Sequence, residues 1–279
     1  MKKVLALILA AALLCTTAIA FAGCGGKGES SAESSDKATG DSATGDSASG
    51  DSANTGSKGE LHMATNAAFE PYEYKEGDEI IGIDAEIAQA ICDKLGYTLV
   101  IDDMEFDAII TAVSTGKADF GMAGMTVTDE RKKSVDFTDP YTNAIQAIIV
   151  NDGEDTVKSK ADLDGKAIGV QLGTTGDIYV SDPENVKDAK VERFSKGADA
   201  VLALTQKKVD AVVIDNEPAK KFVAQNPGTK ILDEPFENED YAICLKQGSE
   251  LTEQFNQALK ELKEDGTVQK IIDKYIKAS

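Results

Sequence analysis

Basic residues are scarce in this chain. Lysine and arginine together number 29, against 49 aspartates and glutamates, and the formal net charge is -20 over 279 residues. So acidic a protein repels phosphate backbones and anionic lipid headgroups, which argues against nucleic acid as a partner and against attachment to a membrane by charge. The acidity says nothing about a ligand, because a pocket is read by its lining. Histidine is scarcer still: His62 is the only one, and the cysteines are Cys15, Cys24, Cys92 and Cys244. No metal-ligand spacing can be composed from these. The acidic run Glu237–Asp240 lacks the carboxylate series of a calcium loop and reads as solvated loop. No metal and no cofactor are expected. His62 reads as a strand-face residue. Cys92 and Cys244 read as buried free thiols, although a disulfide is permitted outside the cytoplasm.

Residues 25–59 hold no aromatic and no large aliphatic side chain, and repeat ATGDS at 38–42 and 43–47 and ASGDS at 48–52. Such a stretch cannot bury enough surface to offset its ordering entropy, so a disordered tether is expected. Ahead of it, Lys2 and Lys3 precede an apolar run from Val4 to Leu14, extended to Phe21, with Ala22 and Gly23 just before Cys24. A basic start, an apolar stretch and a small-residue cleavage site read as an export signal over 1–23. The Phe-Ala-Gly-Cys ending is similar to a lipobox, so Cys24 is expected to be lipidated; an uncleaved anchor is the competing reading. Removing signal and tether leaves a folded part of roughly -19, long enough for one large domain or two modest ones.

That part alternates short apolar runs with amphipathic segments, the pattern of an α/β protein. Strands are expected over 61–65, 97–101, 119–123, 144–150, 167–171, 190–194, 211–214 and 241–245. Helices are expected from Asp84, as N-cap, to a stop at Gly96, and over 106–115, from about 175, and over 198–206, 217–225, 249–264 and 268–277. The run GMAGMTVTDERKKSVDFTDPY (121–141) reads as a ligand-gripping corner. Ala123 and Gly124 leave the backbone bare, Thr126 adds a hydroxyl, and Arg131 offers a planar fork matched to a carboxylate. The Gly173-Thr174-Thr175 loop precedes a helix and points its amides at an anion. Asp215 ends an apolar strand; it reads either as a cleft carboxylate or as the N-cap of helix 217–225.

The same run, together with TNAAFEPYEY (65–74), GIDAEIAQAICDKLG (82–96), KAIGVQLGTTG (166–176) and KVDAVVIDNEP (208–218), resembles the extracellular solute-binding proteins of polar amino-acid ABC importers. The resemblance spans about 61–279. It implies a two-lobed periplasmic-binding-protein fold of type 2, each lobe a mixed sheet flanked by helices, joined by a two-strand hinge. Lobe 1 would be 60–145 plus 238–279 and lobe 2 would be 146–237, after the signal (1–23) and the lipidated Cys24 with its linker (24–59). It implies no enzyme, a free L-amino acid as ligand, an ABC permease as partner, a lipid anchor in the cell membrane, and a monomer.

By the same resemblance Arg131, the Thr126 backbone and the Thr174–Thr175 loop would take the ligand carboxylate. Asp215, the carbonyl groups near Ala123 and Gly124, and the Thr126 hydroxyl would take its ammonium. Phe69 and Phe106 match aromatic positions that flank the ligand, Phe106 being also readable as a core residue. Asn66 and Gln171 match positions that choose the side chain. Basic-amino-acid binders of the family often carry an acid at the Asn66 position, so the neutral amide points to a polar uncharged, glutamine-like ligand. Two rivals stand beside this reading. An enzyme would need an acid or base aimed at a reacting atom, and nothing marks Glu70, the nearest candidate. An adhesin or sensor could keep the pocket, although no signalling module is expected beyond Ser279.

Overall fold

The computed structural model describes residues 57–276. The expected export signal, Cys24 and the linker as far as 56 lie outside the described residues. Alternating burial begins at β1 (Glu60–Thr65), with Leu61 and Met63 inward and His62 half exposed. A small antiparallel sheet follows: β2 (Ala68–Phe69), β3 (Glu73–Glu76) and β4 (Glu79–Ile81). Helix α1 (Ile83–Leu95) buries Ile83, Ile87 and Ile91 along one stripe and stops at Gly96, which takes the left-handed conformation at φ 81°. Asp84, expected at the N-cap, lies instead inside the first turn; Gly82 occupies the cap, and the Asp84 side chain is turned into the protein.

After β5 (Thr98–Asp103), a 3-10 turn over Phe106–Ala108 leads into α2 (Ile109–Ser114). Strand β6 (Phe120–Gly121) is shorter than the expected 119–123, because the chain leaves the sheet at Met122 to form a cavity wall. Then come β7 (Val135–Phe137), β8 (Thr142–Asn151), β9 (Ala167–Gln171), α3 (Thr175–Ser181), β10 (Lys190–Phe194), α4 (Gly197–Thr205), β11 (Ala211–Asp215) and α5 (Asn216–Gln225). The chain ends with β12 (Thr229–Ile231), β13 (Glu237–Tyr241), β14 (Cys244–Lys246), α6 (Leu251–Glu264) and α7 (Thr267–Tyr275). The last two helices divide at Gly266.

Two mixed sheets result, one in each lobe. The first runs β5-β1-β6-β14-β7, with β14 antiparallel to both neighbours. The second runs β10-β9-β11-β8-β12, with β13 also paired to β8. The single strand expected over 241–245 is therefore two strands in two sheets, joined by Ala242 and Ile243. The other crossing runs from β7 to β8 through Thr138–Tyr141. The C-terminal helices return to the first lobe and pack against α1. There Phe120 and Phe255 meet edge to face at 4.9 Å in a core that includes Met63, Ile87 and Ile91. In the second lobe Ile148, Val150, Ile168, Val170 and Val213 form the matching core. Each such side chain stabilises the fold by about 1.5–3 kcal/mol through burial. Cys92 and Cys244 are free and buried. Among the described residues no helix is long and apolar enough to cross a membrane.

Candidate functional site

Strand ends, two 3-10 turns and the start of α3 deliver side chains to one cavity. From the first lobe it is lined by Asn66, Phe69, Phe106, Ala123, Gly124, Thr126 and Arg131, and from the second by Gln171, Thr174, Thr175 and Asp215. All eleven candidate binding residues read from the sequence line this one space. A twelfth lining residue, Glu73, was not among them.

Arg131 lies at the start of a 3-10 turn (Arg131–Lys133) and is only 8% exposed. Its Nη1 donates to the Thr126 carbonyl at 2.6 Å and its Nη2 to the Gly173 carbonyl at 3.1 Å, so it touches both lobes. A guanidinium has five N–H donors, so donors remain for an anion. The Phe106 ring stacks over it at 5.4 Å, which makes this aromatic a cavity wall and not simply core. Burial lowers the Arg131 pKa, while Glu239 and Asp215 oppose that shift. Gly124 turns at φ +54°, and its amide donates to Asp84 Oδ2 at 2.8 Å. A Cβ there would come within 3.0 Å of the Phe69 ring and 3.1 Å of Tyr241, so only glycine fits this wall.

Asp215 stands at the N-cap position of α5, yet its side chain makes no capping bond. It accepts instead from the Tyr241 hydroxyl. Burial, and then the nearby Glu239 carboxylate, push its pKa well above the ordinary range. Thr174 caps α3 by accepting from the Asp177 amide at 3.3 Å. Thr175 accepts from Gln146 Nε2 at 3.3 Å, and Thr126 donates to Glu239 Oε2 at 2.9 Å. Gln171 Nε2 donates to Asn66 Oδ1 at 2.9 Å, an amide pair that spans the two lobes, and Asn66 Nδ2 donates to the Met104 carbonyl at 2.7 Å.

Three buried acids escaped the sequence reading. Glu73 is fully buried; no N–H or hydroxyl of the described residues reaches its carboxyl oxygens, and its carboxyl lies against that of Asp84. Burial and then Asp84 push its pKa well up. Its one signal in the sequence was an acid between two tyrosines, Tyr72 and Tyr74. Glu239 belongs to the acidic run read as solvated loop; that run is strand β13, and its pairing with β8 turns Glu239 inward, 5% exposed. Asp84 accepts from the Gly124 amide and the Tyr141 hydroxyl, each at 2.8 Å, through Oδ2. Gln146 was also missed, although a lone amide in the apolar run AIQAIIV marks it.

Asp84 carries a pH consequence. Burial raises its pKa from the ordinary carboxylate range to about 7. An acid with a raised folded pKa stabilises fully below its unfolded value, and the contribution is lost as pH climbs towards 7. An asparagine in its place would accept the same two bonds and could donate to Glu73. Asp84→Asn is therefore expected to be more stable than wild type at pH 7.5, by about 2–4 kcal/mol, with the advantage shrinking towards pH 4. Melting curves of both proteins across this range check it; parallel profiles would contradict it.

The profile of the bacterial extracellular solute-binding proteins, family 3, matches residues 61–278. The chain belongs to that family. Among its relatives is the arginine-binding extracellular protein ArtP of Bacillus subtilis (strain 168), 37% identical over 228 residues that cover 80% of this chain and 89% of ArtP. An ancestral arginine-binding protein has been solved bound to arginine; it is 44% identical, with a TM-score of 0.74, over 78% of this chain and 98% of that one. A solved structure of an ancestral arginine-binding protein bound to glutamine gives a TM-score of 0.73 at the same identity and coverage.

Proposed function

We propose that this family 3 protein is the lipid-anchored extracellular capture subunit of an ABC importer for a free amino acid with a cationic side chain, arginine foremost. Glu73 carries the reading. A free amino acid needs donors for its carboxylate, which Arg131 offers, and a negative partner for its ammonium, which Asp215 offers. That leaves a third acid in the wall, Glu73, whose raised pKa reflects burial and neighbouring acids with no cation among the described residues to hold its charge. A buried charge is costly unless paired, so the side chain that fits it is positive. Phe69 and Phe106 would flank the aliphatic stem, and Phe106 already stacks on one guanidinium. The neutral Asn66 pointed to an uncharged ligand; its amide is taken up by Gln171 and Met104, which weakens that argument. A glutamine-like ligand is the second reading, favoured by the likeness to an ancestral arginine-binding protein solved bound to glutamine.

In this proposal lobe 1 is 60–145 plus 238–279 and lobe 2 is 146–237, and the paired strands β8 and β13 are the hinge. Closure brings together Asn66 with Gln171, Arg131 with Gly173, and Glu70 with Lys221 at 3.0 Å. A ligand that bridges both lobes shifts the population towards the closed form. The closed monomer then docks on the permease, and Cys24, lipidated after export, keeps it at the membrane. Micromolar affinity corresponds to about -8 kcal/mol, enough for capture and compatible with release.

The test is selectivity. Glu73→Gln removes the charge and keeps the shape. The variant is expected to lose about ten- to a hundredfold in arginine affinity while holding or gaining affinity for glutamine, as the loss of a buried ion pair implies. An unchanged arginine-to-glutamine ratio in calorimetry would sink the cationic reading.

A further inference from the structure

Behind the cavity wall, two side chains that do not line it connect two that do. Gln146 is on β8 and Glu239 on β13. Gln146 pairs with Glu237, so Glu239 is its diagonal neighbour on the same sheet face. Glu239 Oε2 accepts from Thr126 Oγ1 at 2.9 Å and from Gln146 Nε2 at 3.1 Å. The same Nε2 reaches Thr175 Oγ1 at 3.3 Å. All four side chains are buried. The start of α3 can lie against this amide because Gly176 has no side chain; a Cβ there would be 3.1 Å from Gln146 Oε1 and 3.0 Å from the Val213 carbonyl.

The direction of each bond follows from the chemistry of the groups. A carboxylate only accepts, and an amide nitrogen only donates. Turning the Gln146 amide over would set its oxygen against the Glu239 carboxylate, so Glu239 fixes which end of the amide faces Thr175. Thr126 thus commits its hydrogen to Glu239 and keeps its lone pairs. Thr175 receives an N–H and keeps its hydrogen.

We infer that Gln146 and Glu239 are positioning residues that preset the two threonine hydroxyls in opposite senses, Thr126 as acceptor for the ligand's α-ammonium and Thr175 as donor to its α-carboxylate. This rests on the amino-acid reading above and extends it to residues outside the cavity. The relay gives the site a sense of direction. A ligand entering reversed would set its carboxylate against the Thr126 lone pairs and its ammonium against the Thr175 hydrogen. It also ties the polarity of both hydroxyls to the pairing of β8 with β13, so one structural element serves both ends of the ligand.

The test is a cycle of four proteins titrated with arginine: wild type, Glu239→Gln, Thr126→Ala and the double variant. The glutamine of Glu239→Gln keeps its size, but Thr126 and Gln146 both donate to the one oxygen Oε2: an amide oxygen in that place accepts more weakly than a carboxylate, and an amide nitrogen there faces both as a donor, so either orientation loosens the hold on the Thr126 hydrogen. Glu239→Gln is expected to lose about tenfold in affinity in the wild-type background and less than about twofold once Thr126 is alanine, the signature of a shared path. Its ligand-free melting temperature should stay within about two degrees of wild type, since no buried volume changes. Towards 5-guanidinopentanoate, which is arginine without its α-ammonium, Glu239→Gln should change affinity by less than about twofold, because no ammonium is present to meet Thr126. An equal loss in both Thr126 backgrounds would show that the charge at 239 acts through space, and would overturn the inference. So would an unchanged arginine affinity, with or without a drop in melting temperature. Should wild type bind another amino acid in place of arginine, the proposed specificity fails on its own, and the same cycle run on that amino acid still decides the inference.

Discussion

Arg131→Ala is expected to weaken arginine binding at least a hundredfold. The guanidinium is buried, anchored to the Thr126 and Gly173 carbonyls, and stacked under Phe106. Among the described residues it is the one cationic side chain in the cavity wall, so its removal leaves the ligand carboxylate with backbone amides and hydroxyls alone. Stripping one partner from a buried, hydrogen-bonded charge pair costs about 3–5 kcal/mol, and each 1.4 kcal/mol is about tenfold in affinity. The Gly173 contact also spans the lobes, so the variant should close less readily when loaded. Calorimetry measures the loss, and a melting curve verifies that the variant is folded. An affinity within about threefold of wild type would remove Arg131 from the site, since a true partner costs far more.

Asp215→Asn should lose affinity on a similar scale, about 2–4 kcal/mol, because it deprives the α-ammonium of its charge partner while the asparagine oxygen can still accept from Tyr241. It carries a second signature. Burial and Glu239 raise the Asp215 pKa, so below that raised pKa the free protein holds a proton that an incoming ammonium must displace. Wild-type affinity is therefore expected to rise as pH rises towards the Asp215 pKa, the ionised form being the one that binds. Asp215→Asn should flatten that rise. Titrations at several pH values separate the outcomes: a pH slope identical in both proteins would assign the titration to another group.

Much of this architecture was legible in the chain, and the parts that were not have physical reasons. Strands β9 and β10 fall where their composition placed them, because each is a short run bounded by turn residues and paired wholly within one sheet. The 241–245 segment read as one strand because a switch between sheets leaves no local mark in sequence. Strand β13 was hidden by four polar residues, ENED, that only their pairing with β8 makes a strand. The β2–β4 hairpin was hidden likewise by the polar run EYKEGDE. Gly124, Thr126, Arg131, Thr175 and Asp215 were readable from local chemistry, as bare backbone, hydroxyls and charge beside apolar runs, whereas Asn66, Phe69, Phe106 and Gln171 came from the resemblance to the solute-binding family. The acids Glu73, Asp84 and Glu239 were readable from neither. A carboxylate in a polar stretch looks solvated until the fold turns it inward, and Asp84 had every local feature of a cap.

Isothermal titration of the protein with arginine, after unfolding and refolding to strip carried-over ligand, tests the account most directly, with glutamine as the comparison. The account expects one arginine per chain with a dissociation constant in the micromolar range or tighter, about -8 kcal/mol or more, and glutamine weaker by about tenfold or more, as an unpaired Glu73 requires. Tighter binding of glutamine would overturn the role given to Glu73 and leave the Arg131 and Asp215 assignments standing. No heat with arginine, glutamine or any other free amino acid would contradict the central claim that this cavity holds one.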